Sequence, residues 1–368
     1  MTTPERKFYN AVTEYVRTIY NRSETLNAPV VGFAMALMQK RLVSSIGAIQ
    51  STLERRLHGL LAHDDLNLSQ DARSYLEGED LEEDDQIEAE KELERVTVTA
   101  DEELRNELKA LRSLLERAEQ ISVDSKARKV QQYIQTLLED EPNEKVLLFT
   151  EYRDTLDYLL TLFEDEPWFD EIMLIHGDVD KEDRARIEDE FNYGKKRLLF
   201  ATDAASEGID LQKSCHIMIN YELPWNPNRL EQRIGRIHRY GQEREVKVWN
   251  FQFEGTREAE IFELLQEKVE NIRSRVGATA DVLGMIEDLN VEELIMRSIR
   301  DNEPPSATQE QLEKEIEKRQ QTLMDWYERS LIDCSTFDAE SRRRIQQVVD
   351  DSEDVFGSSQ DMQSFVIS

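Results

Sequence analysis

The feature that most constrains the fold is a change of texture near Lys126. From there on, short apolar runs alternate with amphipathic stretches. The runs are Val146-Leu147-Leu148-Phe149, Ile172-Met173-Leu174-Ile175, Leu198-Leu199-Phe200-Ala201, Ile217-Met218-Ile219 and Val246-Lys247-Val248-Trp249. Helical spacing fills about 153–165, 181–193 and 228–240 between them. An unbroken apolar run offers water no polar face, so a strand built from it must be covered on both sides. Such strands alternating with helices predict an α/β domain, with a parallel sheet between two helical layers. Its expected bounds are residues 121–256.

Both flanks read as helical. Phe8, Val12, Tyr15, Val16 and Ile19 recur at three- and four-residue intervals and form one apolar face. Phe33, Leu37, Leu42, Ile46, Ile49 and Leu53 continue the pattern over 30–60, and Leu104, Leu108, Leu111 and Leu115 repeat it over 88–119. Leu76 to Asp85 is too charged for a core and reads as a solvated turn between long helices, at the start of an acidic segment that reaches residue 94. We therefore expect a helical region over 1–120. A second, acidic one is expected over 257–368, ending in a polar tail from Gly357.

The charge balance limits what the chain can hold. Its 368 residues carry 78 acidic against 46 basic side chains, a net charge of −32. A strongly acidic surface keeps a protein dispersed, and it also suits a salty cytoplasm where screening makes such charge tolerable. Either way it argues against a broad basic face for nucleic acid, so contacts to phosphates must be local. No run of 18 apolar residues is present, which excludes an ordinary membrane-spanning helix. The first residues lack signal-peptide character. Cys215 and Cys334 stand far apart and match no metal-ligand spacing. A cytoplasmic protein without a structural metal is the expectation.

Chemistry concentrates in Gln232-Arg233-Ile234-Gly235-Arg236-Ile237-His238-Arg239-Tyr240-Gly241-Gln242. Asn226 before Pro227 is a good helix start. A helix continuing to Arg239 would put Gln232, Arg236 and Arg239 on one face and Leu230, Ile234 and Ile237 on the other. Arginine offers a fixed fork of donors that suits phosphate oxygens, and its charge does not titrate. On spacing alone, a surface helix with scattered arginines would look the same. A second stretch is Ala201-Thr202-Asp203-Ala204-Ala205-Ser206-Glu207-Gly208-Ile209-Asp210-Leu211, which starts at a strand's C-terminal tip. Open parallel sheets bind ligands at that edge, although ordinary strand-to-helix capping would also use these residues. Thr150 ends another strand, and His176-Gly177-Asp178 follows a third.

The string Gln-Arg-x-Gly-Arg-x-x-Arg resembles the last signature motif of superfamily-two helicases. With His238, Gly241-Gln242 and the preceding Leu223-Pro224-Trp225-Asn226-Pro227, it is similar to the Swi/Snf branch, including the bacterial RNA-polymerase-recycling ATPases. The resemblance implies a RecA-like sheet. It also implies that Arg236 and Arg239 are arginine fingers toward the γ-phosphate of ATP, with Gln232 beside them. By the same resemblance Gly208 and Asp210 approach the nucleotide ribose, next to Glu207. Thr202, Thr150, His176 and Gly177 map to contacts with a nucleic acid, double-stranded DNA in that branch.

A helicase core also needs Gly-x4-Gly-Lys-Ser/Thr to cradle the phosphates and hold Mg²⁺, and these residues contain no such string. Asp101-Glu102-Glu103-Leu104 mimics a metal-binding acidic box, but no P-loop precedes it and acids favour helix starts anyway. Residues 6–58 resemble the helical tail leading out of a first lobe. The expectation is therefore a C-terminal lobe that works with a separately encoded N-terminal P-loop lobe, which holds most of the ATP and Mg²⁺. The rival expectation is an adaptor without catalysis that binds nucleic acid or protein.

Overall fold

The computed structural model describes residues 1–25, 29–61, 101–121, 124–203, 208–265, 291–302, 310 and 314. The acidic stretch at 78–94, most of the C-terminal helical region and the tail from Gly357 lie outside them. Residues Met1–Glu310 form one compact unit, and Gln311–Ser368 a second, of which only Lys314 is described. No described helix is long and apolar enough to cross a membrane.

All five apolar runs are strands. They are β1 (Val146–Thr150), β2 (Ile172–Ile175), β3 (Leu198–Thr202), β4 (Ile217–Asn220) and β5 (Lys247–Asn250). They form one sheet in the order β2-β3-β1-β4-β5, with every neighbouring pair parallel. β1, β3 and β4 are buried along their whole length, as continuous apolar strands must be.

Alternate residues feed two cores. Val146, Leu148, Leu198, Phe200, Ile217 and Ile219 pack with α5 (Ser125–Asp140) and α6 (Arg153–Phe163). Leu147, Phe149, Leu199, Ala201 and Met218 pack on the other face with Phe191 of α7 (Lys181–Tyr193), Ile209, Leu211 and Ile237. The period-two alternation of a strand decides this partition. α5 starts where the Asp124 carboxylate accepts the Ala127 N–H, and α7 where Asp180 accepts the Asp183 N–H at 2.8 Å.

The N-terminal region forms α1 (Thr3–Thr25), α2 (Pro29–Ser44) and α3 (Ile46–Leu61), with α4 (Asp101–Glu119) further on. The single apolar pattern over 30–60 is thus two helices that meet at Ser45. That corner lies against α6. A Cβ on Gly47 would meet the Tyr158 side chain at 2.7 Å, so only glycine allows the approach. Arg41 and Arg55 both reach Asp154, at 2.6 and 3.0 Å. A helix over 257–265 and α9 (Val291–Arg300) complete the helical layer. They are tied to α1 and α2 by Tyr9–Glu258 (2.8 Å), Gln39–Glu258 (2.8 Å) and Lys40–Glu292 (2.6 Å).

Among the helices, one pair is fully enclosed. Arg56 of α3 donates to Glu107 of α4 at 2.6 Å, and both groups bond the Tyr15 hydroxyl of α1. Removing one partner leaves the other charge uncompensated in a dry site, which costs about 3–5 kcal/mol. Glu107→Ala is therefore expected to lower the unfolding free energy by about that much, measured by denaturant titration. A loss below about 1 kcal/mol would show that water reaches the pair.

Candidate nucleotide and nucleic-acid site at the sheet tips

The chain leaves β1 on one face of the sheet, through α6, whereas the segment after β3 packs on the opposite face. Adjacent strands whose connections diverge open a crevice at their C-terminal tips. Thr150 and Thr202 are paired across that junction. One residue beyond the Ile175–Ala201 pair, His176 stands in the same row. The sheet thus brings Thr150, Thr202 and His176 to one edge.

Neither threonine lies open there. Both are fully buried, and the Thr150 hydroxyl donates to Glu222 Oε2 at 3.1 Å. The α2–α3 corner covers the β1 tip, with Ser44 Oγ 3.1 Å from the same carboxylate oxygen and 2.7 Å from Thr155 Oγ1. His176 is better exposed. Its Nδ1 lies 3.5 Å from Asp178, which Arg153 approaches at 3.5 Å from the other side. Burial and the nearby Arg153 charge both lower its pKa, which favours the neutral imidazole. Arg184 holds the turn by donating to the carbonyls of Val179 (2.7 Å) and Gly177 (3.1 Å).

The arginine-rich segment differs from the expected helix. Helix α8 runs only over Pro227–Ile234. Gly235, a poor helix former, follows. The chain then tightens into turns in which Arg236 N–H bonds Arg233 O at 3.0 Å and Ile237 N–H bonds Ile234 O at 3.0 Å. The Arg236 carbonyl is taken by the Leu211 N–H at 3.1 Å, which fastens the turn to the segment after β3. Gly241, at φ +96°, and Gln242, which donates to the carbonyls of Ile237 (3.0 Å) and Cys215 (2.9 Å), close it.

Three arginines spaced by three residues then take different roles. Arg233 is 2% exposed. Its guanidinium forks onto Asp203 at 2.5 and 2.7 Å and donates to Asn220 Oδ1 (3.2 Å) and the Glu222 carbonyl (2.9 Å). Its carbon lies 5.3 Å from the Phe149 ring centre. Burial alone would lower its pKa, but the Asp203 carboxylate outweighs this and holds the group charged. Arg236 is half-buried, and its Nε, shut off from water, meets no acceptor among the described residues. Arg239 is exposed and pairs with the equally exposed Asp210. Gln232 lies in solvent on α8.

Gly208 takes φ +85°, a conformation that side chains resist, and Asp210 is held through its backbone by Glu188 (3.2 Å) and Asn192 (3.0 Å). Glu207 lies outside the described residues. The sequence reading had missed Arg233, Asp203 and Glu222. Arg233 falls within about a helical step of Leu230 and Ile237 on the inward face of α8, so the spacing did carry a signal for it. Glu222 carried none, because its partners come from three separate segments.

These features coincide with recognised relatives. The family described as the helicase conserved C-terminal domain matches residues 126–241. An uncharacterized ATP-dependent helicase, YqhH, of Bacillus subtilis is 39% identical over 204 residues, 54% of this chain and 33% of its own length. The ATP-dependent RNA helicase dbp2 of Sclerotinia sclerotiorum is 33% identical over 136 residues, 37% of this chain and 23% of its own. The chain thus spans about a third or less of these relatives. The crystal structure of the C-terminal part of the Fun30 ATPase domain superposes with a TM-score of 0.45 at 16% identity, covering 82% of this chain and 96% of its own. Residues 126–241 form a helicase conserved C-terminal domain.

Proposed function

We propose that this lobe belongs to an ATP-driven nucleic-acid translocase and presents Arg236 and Arg239 to a triphosphate gripped, with Mg²⁺, by a separate P-loop lobe. The observation that carries the reading is the contrast among the three arginines. Each of the three guanidinium nitrogens of Arg233 donates to an acceptor inside the fold. Arg236 keeps a buried donor without an acceptor among the described residues, an arrangement that costs about 1–3 kcal/mol when left so. Among the described residues the Arg239 guanidinium is held by a solvent-accessible pair with Asp210, which is worth about 0–1 kcal/mol. Groups fastened this weakly are available to an incoming anion, whereas Arg233 is not.

In this reading Arg236 and Arg239 stabilise charge developing on the phosphates, with Gln232 beside them. Gly208, Asp210 and Glu207 lie toward the ribose. ATP and Mg²⁺ supply the hydrolysis, and the residues of this chain orient and neutralise. Nucleic acid runs along the sheet edge past His176 and Gly177. Thr150 and Thr202, being buried, contribute through the backbone at their strand tips. Double-stranded DNA is the preferred strand form, on the Swi/Snf-like residues Leu223 to Pro227 and the closing Gly241-Gln242.

Purified alone, the chain is expected to hydrolyse ATP negligibly. The matching P-loop lobe should stimulate it, and Arg239→Ala should remove about 10³–10⁵ of the rate, or about 4–7 kcal/mol of barrier. Brisk turnover by the chain alone, or undiminished stimulation of Arg239→Ala, would sink the reading.

With few phosphates neutralised by an acidic chain, affinity for a short DNA duplex should depend shallowly on salt. About three contacts give a slope of log affinity against log salt near −3. Fluorescence anisotropy from low to moderate salt measures it. A slope near −8, or stronger binding to RNA than to duplex DNA, would contradict this assignment.

A further inference from the structure

We propose that Glu222 is a positioning residue for the arginine segment, coupling the C-terminal end of α2 to Arg233 and through it to Arg236 and Arg239. This rests on the reading of those two arginines as fingers.

Glu222 follows β4 and is nearly enclosed. One carboxylate oxygen accepts from Thr150 Oγ1 and from Ser44 Oγ, each at 3.1 Å, and the other accepts the Glu151 N–H. Its own backbone carbonyl accepts from Arg233 Nη1 at 2.9 Å. A single residue therefore touches the tip of β1, the end of α2 and the guanidinium that anchors α8. Burial pushes its carboxyl above the ordinary range, and it pushes the ammonium of nearby Lys126 down to about 8.

A second contact repeats the linkage one helical turn earlier. Lys40 of α2 lies over the Trp225 ring at 5.2 Å, two residues before α8 begins. Residues four apart share a helix face, so Lys40 and Ser44 grip the 222–225 segment from one side of α2. On the far side of the corner, Ser44 and Ser45 bond Thr155 at 2.7 and 2.9 Å. The α2 end is thus keyed both to α6 and to the start of the arginine segment. From Arg233 the tight turn leads directly to Arg236, whose N–H it holds at 3.0 Å. A tilt of α2 would reach the arginine turn through these contacts of Glu222 and Arg233. A role confined to fold stability would require none of this directionality, and the two are separable.

The test uses Ser44→Ala, which removes the hydroxyl bridge and leaves every arginine in place, and Glu222→Gln, with Ile134→Ala on α5 as a control for general loosening. In the chain alone, amide hydrogen exchange over 229–240 should quicken tenfold or more in Ser44→Ala and Glu222→Gln, and stay near wild type in Ile134→Ala. Unchanged exchange over 229–240 in Ser44→Ala, or an equal rise in Ile134→Ala, overturns the proposal. With the P-loop lobe present, Ser44→Ala should lower kcat about tenfold with KM for ATP unchanged. In an Arg239→Ala background the further loss should be smaller than in the wild type, because one of the two side chains the route serves is already gone. Losses that simply multiply overturn the proposal as well. If the wild-type combination shows no ATPase, the finger reading fails, while the exchange result still decides whether Glu222 positions the segment.

Discussion

The fork between Arg233 and Asp203 is the interaction on which the rest of this lobe depends. It sets a permanent charge inside the C-terminal edge of a parallel sheet, where an unpaired ion would cost several kcal/mol. The geometry offsets that cost with two charge-assisted bonds, an amide oxygen, a backbone carbonyl and an aromatic face. Asp203 directly follows β3, and Asn220 ends β4. One guanidinium therefore spans the tips of two strands that flank β1. It locks α8 to the sheet in one orientation, which hydrophobic contact from Ile234 and Ile237 alone would leave free to slide.

With Arg233 fixed, the following turn has a defined direction. Arg236 and Arg239 come off a tightened chain whose carbonyls and amides are held by Leu211, Gln242 and the end of α8. Their side chains are held far less firmly than their backbone. A firm main chain carrying lightly held cations matches what electrostatic stabilisation of a developing charge requires, since preorganised donors need no reorganisation at the moment of reaction. The opposite arrangement, a mobile backbone with satisfied guanidiniums, would describe a structural helix.

Much of the α/β fold was legible because one rule carried it. Unbroken apolar runs such as Leu198-Leu199-Phe200-Ala201 favour parallel strands; all five runs proved to be parallel strands, with β3, β1 and β4 interior and β2 and β5 at the edges. The end of α8 was read too far, to Arg239, because helical periodicity could not weigh Gly235 against the pull of Leu211 on the Arg236 carbonyl. The corner at Ser45 was invisible for a similar reason: two helices with a common apolar face look like one until α6 is seen to wedge against Gly47. Thr150 was read as a candidate phosphate contact at a strand tip. Its burial depends on the α2–α3 corner, more than a hundred residues earlier in the chain, and no local pattern encodes that contact. Arg233 was legible in principle on a helical wheel, but its burial depends on Asp203 and Asn220 at the ends of two strands, which helical spacing alone does not bring to it.

The acidity of the chain bears on how such a site can operate. Its arginines do not stand in a basic field: Arg239 meets Asp210, Arg153 meets Asp178 and Asp157, and Arg229 approaches Glu151 at 3.6 Å. At moderate salt the field of the remaining acids is screened beyond about 10 Å, so a phosphate approaching the sheet edge encounters pairs and not the net charge of −32. Under the proposed function, binding is an exchange in which a phosphate replaces a carboxylate at a guanidinium. Because the Asp210, Asp178 and Asp157 carboxylates stand largely in solvent, they return to water at little cost. Such an exchange gains little from long-range attraction and much from bidentate geometry. That is why arginine, whose planar fork keeps its directionality when the field is screened, suits these positions better than lysine.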